Sequence, residues 1–285
     1  MNSIEKAIAR LTATPDKQNT GSGQRTAAFP TAVIEQKEAE QRFVSRIKKT
    51  SELNFTALAK DGYLTPNTMH SAVAEDYRFL KLLVIQIAKE METAQAEGRN
   101  LVAITSAQRG EGKTFTSFNL AMSIAFERDT TVLLMDCDLI GRSLSKLLGL
   151  HNAIGLTDML LDPHIELRDI LTHTNVPKLK LIPAGRAHRD APELMASKKM
   201  QSLAADLSAR YDDRIVLIDT PPLLATSLAV VLTGLAGQIL VVAEEGKTPQ
   251  KRITEALSLL DKNKVINMVL NKCPRRSTNK YYKYQ

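Results

Sequence analysis

The chain has 285 residues, of which 44% are hydrophobic and 24% charged, and these values suit one soluble α/β domain with a sizeable extension. The absence of tryptophan and an aromatic content of 5% exclude a carbohydrate-binding surface built on tryptophan platforms. A net charge of +7 suits an anionic partner, namely a nucleotide, a nucleic acid or a membrane surface, although a mildly basic soluble protein carries the same excess. Two cysteines are too few for a disulfide framework and indicate a reducing compartment.

The first 69 residues are predicted to form an N-terminal extension that is partly helical and partly flexible. Apolar residues at helical spacing predict a short amphipathic helix over residues 2–12. Residues 12–31 are rich in Thr, Gly, Pro, Gln and Ser, a composition typical of a flexible linker. A charged helix is expected over residues 32–49, and irregular chain is expected over residues 51–67.

The N-terminus mixes acidic and basic residues and lacks the apolar segment of a secretory signal. No run of the sequence approaches the ~20 apolar residues that a membrane-spanning helix needs. We therefore expect a cytoplasmic protein, whose contact with the inner membrane would come through a partner or an amphipathic face.

The pattern changes at residue 70, where a helix with a broad apolar face precedes alternating strands and helices. Several strands are near-continuous apolar runs, which is typical of parallel strands buried on both faces of a sheet. Residues 70–272 are therefore predicted to form a doubly wound α/β domain, with a mainly parallel sheet and helices on both faces. The predicted strands are 101–106, 131–136, 179–183, 214–219, 238–243 and 265–270.

A glycine-rich loop joins the first of these strands to a helix and has the spacing of a Walker A motif, which identifies a P-loop NTPase fold. Gly110 and Gly112 allow successive N–H groups to converge on phosphate oxygens at a helix N-terminus. Lys113 can reach the β- and γ-phosphates, and the Thr114 hydroxyl can bind Mg²⁺. Ala107 departs from the common pattern, which has glycine there. The alternative is a glycine-containing turn with an incidental lysine.

Two further strands end in carboxylates. Asp136 and Asp138 follow one strand and Asp219 follows another, and parallel strands bring such ends beside the P-loop. These side chains could hold Mg²⁺ and accept the proton of an attacking hydroxyl. The alternative for the first pair is a structural cap on the next helix. Cys137 between them is interpreted as a small buried residue that faces away from the nucleotide.

Three of the six tyrosines, Tyr281, Tyr282 and Tyr284, lie in the basic C-terminal tail at residues 273–285. Downstream of an ATP site, they are interpreted as substrate hydroxyls on a tether. A basic tail that binds phosphates or anionic lipid is the minor alternative.

The Walker A loop, the Asp-x-Asp strand end, the strand that ends in Asp219 as a Walker B motif does, and the terminal tyrosines together resemble the bacterial tyrosine kinases that control capsule and exopolysaccharide export. The stretch ATSLAVVL and the YYKY ending are most similar to the soluble autokinases of exosortase-associated loci. The resemblance implies an ATP-dependent tyrosine autokinase that uses Mg²⁺ and phosphorylates its own tail. The residues expected to act in catalysis are Lys113, Asp136, Asp138 and Asp219, and those expected to hold the metal ion are Thr114, Asp136 and Asp219. The residues expected to contact the nucleotide are Gln108, Arg109, Gly110, Glu111, Gly112, Lys113, Thr114, Phe115 and Asn271.

The resemblance also implies partners. A Glu-x-x-Arg-x-x-Arg stretch joins family members into a ring, and its counterpart here is Glu75, Arg78 and Lys81, with lysine in place of the second arginine. A membrane-embedded polysaccharide chain-length regulator would act as activator and a tyrosine phosphatase would reverse the modification. No nucleic acid partner is expected.

Two other functions remain open at this point. A partitioning-type ATPase of the deviant-Walker class would carry an early lysine in the loop, and none occurs between Asn100 and Gly112. A non-catalytic adaptor that binds nucleotide is made credible by the second motif, the stretch that begins with Asp-x-Asp, because Arg142 is displaced from the family position and a proline is missing.

Overall fold

A computed structural model describes residues 50–210 and 213–274 of the chain. The predicted helices at 2–12 and 32–49, the predicted linker and the tail tyrosines lie outside these residues. Within them, one sheet contains eight strands. The strands are β1 (Thr50–Ser51), β2 (Leu101–Ser106), β3 (Thr131–Asp136), β4 (Thr172–Thr174), β5 (Leu179–Ile182), β6 (Arg214–Asp219), β7 (Gln238–Glu244) and β8 (Val265–Asn271).

Ten α-helices and one short 3-10 helix, Pro66–Thr68, connect these strands within the described residues. The α-helices are α1 (Phe55–Lys60), α2 (Ala72–Thr93), α3 (Lys113–Ala125), α4 (Ser143–Leu147), α5 (Leu156–Leu161), α6 (Leu167–Ile170), α7 (Ala191–Met195), α8 (Lys198–Ala209), α9 (Ser227–Leu235) and α10 (Gln250–Ser258). Among the residues described, every helix is too short or too polar to traverse a lipid bilayer.

The strand order is β1-β4-β5-β3-β6-β2-β7-β8, and every neighbouring pair is parallel except β4 and β5. The predicted class, a mainly parallel doubly wound sheet, is confirmed. β2 lies between β6 and β7, so the loop that follows it opens at the point where the order reverses, which is the usual ligand site of such sheets.

The six predicted strands are all present, and three of them have the predicted bounds. The sequence did not predict β1 and β4, which contain two and three residues. Both are polar and short, Thr-Ser and Thr-His-Thr, so neither shows the apolar run that marked the central strands.

Each central strand is buried on both faces because alternate side chains enter two separate cores. In β2, Val102 and Ile104 belong to the core beneath α2 and α3. Leu101 and Ala103 belong to the opposite core, which includes apolar residues of α8 and α9. The central strands are therefore held rigidly, and so are the groups at their carboxyl ends.

Residues 50–68, here called the strap, pack on the first of these cores. The expectation of irregular chain over residues 51–67 is wrong, because Asn54 caps helix α1 by accepting a hydrogen bond from the Ala57 N–H. β1 pairs with β4, and the Leu64 N–H donates to Asn119 Oδ1 of α3 at 2.7 Å. The packed unit therefore begins before residue 70, the boundary expected from the sequence.

We expect Leu64→Ala to lower the free energy of unfolding by about 2–4 kcal/mol, because Leu64 is 1% exposed and truncation leaves a cavity. Leu259→Ala is the control, since that side chain is 42% exposed and should cost less than about 1 kcal/mol. Urea unfolding monitored by circular dichroism measures both. Equal effects would show that the strap is not part of the folded unit.

Candidate active site

The Walker A loop runs from the end of β2 to the start of α3 and depends on two glycines. Gly110 and Gly112 have φ angles of +86° and +99°, a region that side chains rarely adopt. A Cβ at Gly112 would also lie 1.9 Å from Nδ2 of Asn271, whereas a Cβ at Gly110 would meet nothing within 4 Å. Gly112 is thus needed for both conformation and space, and the surface over Gly110 is open.

The first two turns of α3 direct hydroxyl groups at Asp219, the Walker B carboxylate. The Thr114 Oγ1 donates to Asp219 Oδ2 at 2.8 Å, and the Ser117 Oγ donates to Asp219 Oδ1 at 3.0 Å. Lys113 is buried nearby, and its charge acts on Asp219. Sequence reasoning missed Ser117, although its position three residues after Thr114 places it on the same face of the helix.

Asp136 lies directly opposite Asp219 in the pairing of β3 with β6. Its Oδ2 accepts hydrogen bonds from the Ser145 N–H at 2.8 Å and the Ser145 hydroxyl at 2.6 Å. Its Oδ1 is buried and has no hydrogen-bond partner within the described part of the chain. Ser145 was not predicted, because its contact with Asp136 depends on the loop that returns α4 to the strand end.

Burial raises the pKa of both carboxyls, because the charged forms lose water. The pKa of Asp219 rises to about 7, first through burial and then through the charge of Asp136, against the effects of Lys113, Thr114 and Ser117. The pKa of Asp136 rises to about 6 through burial, against the hydrogen bonds from Ser145. A site that holds two such carboxylates together favours a cation between them.

Asp138 and Arg142, the rest of the second motif, shape the turn before α4. The Asp138 Oδ1 accepts a hydrogen bond from the Gly141 N–H at 2.9 Å, so one oxygen of this side chain holds the turn. Arg142 has a φ of 51°, and its guanidinium donates to the His151 carbonyl. The displaced arginine therefore binds the loop that follows α4.

Glu111 shapes the Walker A loop from inside the protein, since only 3% of it is exposed. Its carboxylate accepts hydrogen bonds from the Gln108 N–H at 2.7 Å and the Thr248 hydroxyl at 2.5 Å. The Asn271 Nδ2 donates to the Glu111 carbonyl at 2.9 Å. Sequence reasoning expected Glu111 and Asn271 to contact nucleotide, and it missed Thr248, which follows a different strand.

The two remaining residues expected to contact nucleotide differ in their surroundings. Arg109 is exposed. The ring of Phe115 lies 5.0 Å from that of Tyr63 in the strap and 6.4 Å from that of Tyr77 in α2. The Phe115 ring therefore anchors the start of α3 against the strap and α2.

The three residues expected at a subunit interface do not share one surface. Arg78 forms an ion pair with Glu75 on the exposed side of α2. Lys81 is 8% exposed, and its Nζ lies 2.6 Å from Glu127 Oε2. The Lys81 ammonium is therefore engaged within its own chain, while Phe79 beside Arg78 is 63% exposed.

Together these groups form a cradle for an anion beside two carboxylates. The loop between β2 and α3 offers a helix N-terminus, a buried lysine and open space over Gly110. The buried Oδ1 of Asp136 and the hydroxyl of Thr114 fit a magnesium ion, which prefers oxygen ligands. The fold and this site define a P-loop nucleotide-binding protein.

Comparison with known proteins narrows this class. A family model described as "AAA domain" matches residues 99–271. The tyrosine-protein kinase wzc of Salmonella typhimurium is 35% identical over 192 residues, which are 65% of this chain and 26% of that protein. The tyrosine-protein kinase YwqD of Bacillus subtilis is 34% identical over 185 residues, which are 64% of this chain and 76% of YwqD.

Among solved structures, the kinase domain of the Escherichia coli tyrosine kinase ETK matches with a TM-score of 0.56 and 28% identity, over 70% of this chain and 80% of that one. The chain belongs to the bacterial tyrosine-protein kinase family, which confirms the resemblance drawn from its motifs. It spans about a quarter of the length of wzc, so the match lies within one part of that larger protein.

The raised pKa of Asp219 predicts how stability depends on pH. A carboxyl whose pKa is higher in the folded than in the unfolded protein stabilises the folded state at low pH. For Asp219 this contribution is lost as the pH rises from the unfolded pKa of 3.8 through the folded pKa of about 7. In EDTA without nucleotide, Asp219→Asn should raise the free energy of unfolding by about 1–3 kcal/mol at pH 8 and by much less at pH 5.

Urea titrations at the two pH values measure this difference. Asp129→Asn, which removes an exposed carboxylate, is the control and should change little at either pH. An equal effect of Asp219→Asn at pH 5 and pH 8 would contradict the raised pKa.

Proposed function

We propose that the chain is an ATP-dependent protein-tyrosine autokinase that phosphorylates Tyr281, Tyr282 and Tyr284. Through this modification it regulates the polymerisation and export of an exopolysaccharide or capsule. The observation that carries the proposal is that the buried Lys113 lies beside two buried carboxylates, Asp136 and Asp219, next to the Walker A loop. Family membership supports the same reaction.

The residues have separate tasks in the transfer. Lys113 and the loop N–H groups bind the phosphates of ATP and hold the γ-phosphate in line with the acceptor. Asp136 or Asp138 orients the tyrosine hydroxyl and takes its proton. The bond from the γ-phosphorus to the bridging oxygen breaks, a bond to the tyrosine oxygen forms, and ADP leaves with the electron pair.

The cation site supports the same proposal. Thr114, Asp136 and Asp219 would hold Mg²⁺, which neutralises charge on the β- and γ-phosphates when bound. The Thr114 hydroxyl already points at Asp219, and one oxygen of Asp136 is left without a protein partner among the described residues. These side chains therefore need little rearrangement to bind a cation.

Chain length allows the tail to reach an active site. Tyr281 follows Lys272 by nine residues, and nine extended residues span about 30 Å. That length permits transfer within one chain or to a neighbouring copy. Each phosphate adds about −1.5 to −2 charges to this basic segment, so phosphorylation changes how the tail binds a charged surface.

Assembly is proposed to use the exposed side of α2, where the Glu75–Arg78 pair lies beside the apolar side chain of Phe79. A second copy facing this surface would bring its tail towards the site, as in a ring. We further propose that the chain works in the cytoplasm, where ATP is available. There a membrane-embedded polysaccharide chain-length regulator activates it, and a tyrosine phosphatase removes the phosphates from its tail.

Intact mass after incubation with MgATP tests the reaction. The wild type should gain up to three phosphates on its tail, each of which adds about 80 Da, whereas Lys113→Met should gain none because it lacks the phosphate-binding ammonium. A triple Phe variant at Tyr281, Tyr282 and Tyr284 should bind nucleotide normally and show no tail phosphorylation. ATP hydrolysis without added phosphate would support a partitioning-type ATPase. Nucleotide binding with neither activity, even with the membrane regulator present, would support an adaptor.

A charge placed on the exposed side of α2 tests assembly. Phe79→Glu should shift the protein to monomers and lower tail phosphorylation at least about tenfold, because a buried charge at an interface is costly. Leu259→Glu, which alters an exposed leucine outside α2, should leave both unchanged. Analytical ultracentrifugation beside the mass measurement distinguishes these outcomes, and monomeric wild type with full activity would refute the interface.

A further inference from the structure

Lys272, the first residue after β8, connects the Walker A loop to the start of the C-terminal tail. Its Nζ donates a hydrogen bond to the Gly110 carbonyl at 2.7 Å and forms an ion pair with Glu244 Oε2 at 2.8 Å. The backbone of Lys272 has a φ of 59°, the left-handed region that costs energy for a residue with a side chain. The ammonium is thus held against the loop from a strained turn.

The contacts around Lys272 form a closed network of polar interactions. Glu244 ends β7, and its N–H donates to the Thr248 hydroxyl at 2.9 Å. That hydroxyl donates to Glu111, the loop residue next to Gly110. The network therefore links the Walker A loop to the segment after β7, that segment to Lys272, and Lys272 back to the Walker A loop. The Glu244 carboxylate stays charged, because Lys247 and Lys272 hold its pKa below the usual value.

Two consecutive peptide units of the loop are oriented by two consecutive side chains. Lys272 binds the carbonyl of Gly110, and Asn271 binds the carbonyl of Glu111. In a planar trans peptide the N–H points opposite to the carbonyl. The N–H groups of Glu111 and Gly112 therefore point away from these side chains, as successive N–H groups must when they bind one anion.

We propose that Lys272 is a positioning residue that sets the peptide orientation of the Walker A loop and thereby couples nucleotide binding to the start of the tyrosine-bearing tail. The proposal rests on the proposed function of this loop as the ATP site. Coupling is reciprocal, so bound nucleotide holds residue 272 more firmly, and loss of the ammonium weakens nucleotide binding.

A matched pair of lysines allows a controlled test. Lys247 and Lys272 both pair with Glu244, at 2.6 Å and 2.8 Å, but only Lys272 donates to a carbonyl of the Walker A loop. The side chain of Lys272 is 46% exposed, so its replacement should leave the fold intact, and thermal melting of each variant checks this. Lys272→Arg keeps the charge and the donor.

Isothermal titration of the full chain with ADP and Mg²⁺ gives the affinities. Lys272→Met should weaken ADP binding about five- to tenfold, as expected for a partly exposed charge-assisted hydrogen bond, and Lys272→Arg should restore most of it. Lys247→Met should stay within about twofold of the wild type, because it lacks the loop contact. Equal affinities of the two methionine variants would overturn the proposal.

Hydrogen exchange separates positioning from general destabilisation. The amides of residues 108–112 should exchange faster in Lys272→Met than in Lys247→Met when the melting temperatures are equal. ADP should protect residues 271–274 in the wild type and do so less in Lys272→Met. Exchange that is identical in the two variants would also overturn the proposal. Failure of the wild type to bind ADP would instead contradict the proposed function of the site.

Discussion

The active site depends on two carboxylates that are buried opposite one another at the ends of neighbouring strands. Asp136 and Asp219 are 0% and 1% exposed, so their charges are poorly hydrated and repel each other. Lys113 and the hydroxyls of α3 act on one of them, and Ser145 acts on the other. The repulsion that remains favours the entry of a cation or a proton, which suits a site that handles the phosphates of a nucleotide.

Such a pair of charges can stay in place only because its supports are rigid. β3 and β6 lie in the middle of the sheet, with an apolar core on each side. Helix α3 is buried along nearly its whole length, beneath α2 and the strap. The Walker A loop, which joins β2 to α3, is in turn bound by Asn271 at the end of β8 and by Thr248 and Lys272, which follow β7 and β8. Packing on every side therefore fixes the orientation of the polar groups in the site.

Sequence patterns predicted the parts of this structure whose signal is local. The apolar runs of the central strands and the spacing of glycine, lysine and threonine in the loop each lie within about ten residues. The strap was missed because its buried leucines follow neither a helical nor a strand period. Thr248 and Lys272 were missed because their partners, Glu111 and Gly110, lie 137 and 162 residues away. Only the fold brings such polar residues together, and no local pattern distinguishes them from surface residues.

The strap also imposes an order of events on synthesis. The Leu53 N–H donates to Asn175 Oδ1, and these two residues lie 122 positions apart in the chain. A ribosome that adds about 5–20 residues per second needs on the order of ten seconds to produce the second partner after the first. During that interval the hydrogen bond from Leu53 cannot form, so the start of the strap lacks one of its final contacts. The segment made first in the described domain thus completes its contacts only after residue 175 has been made.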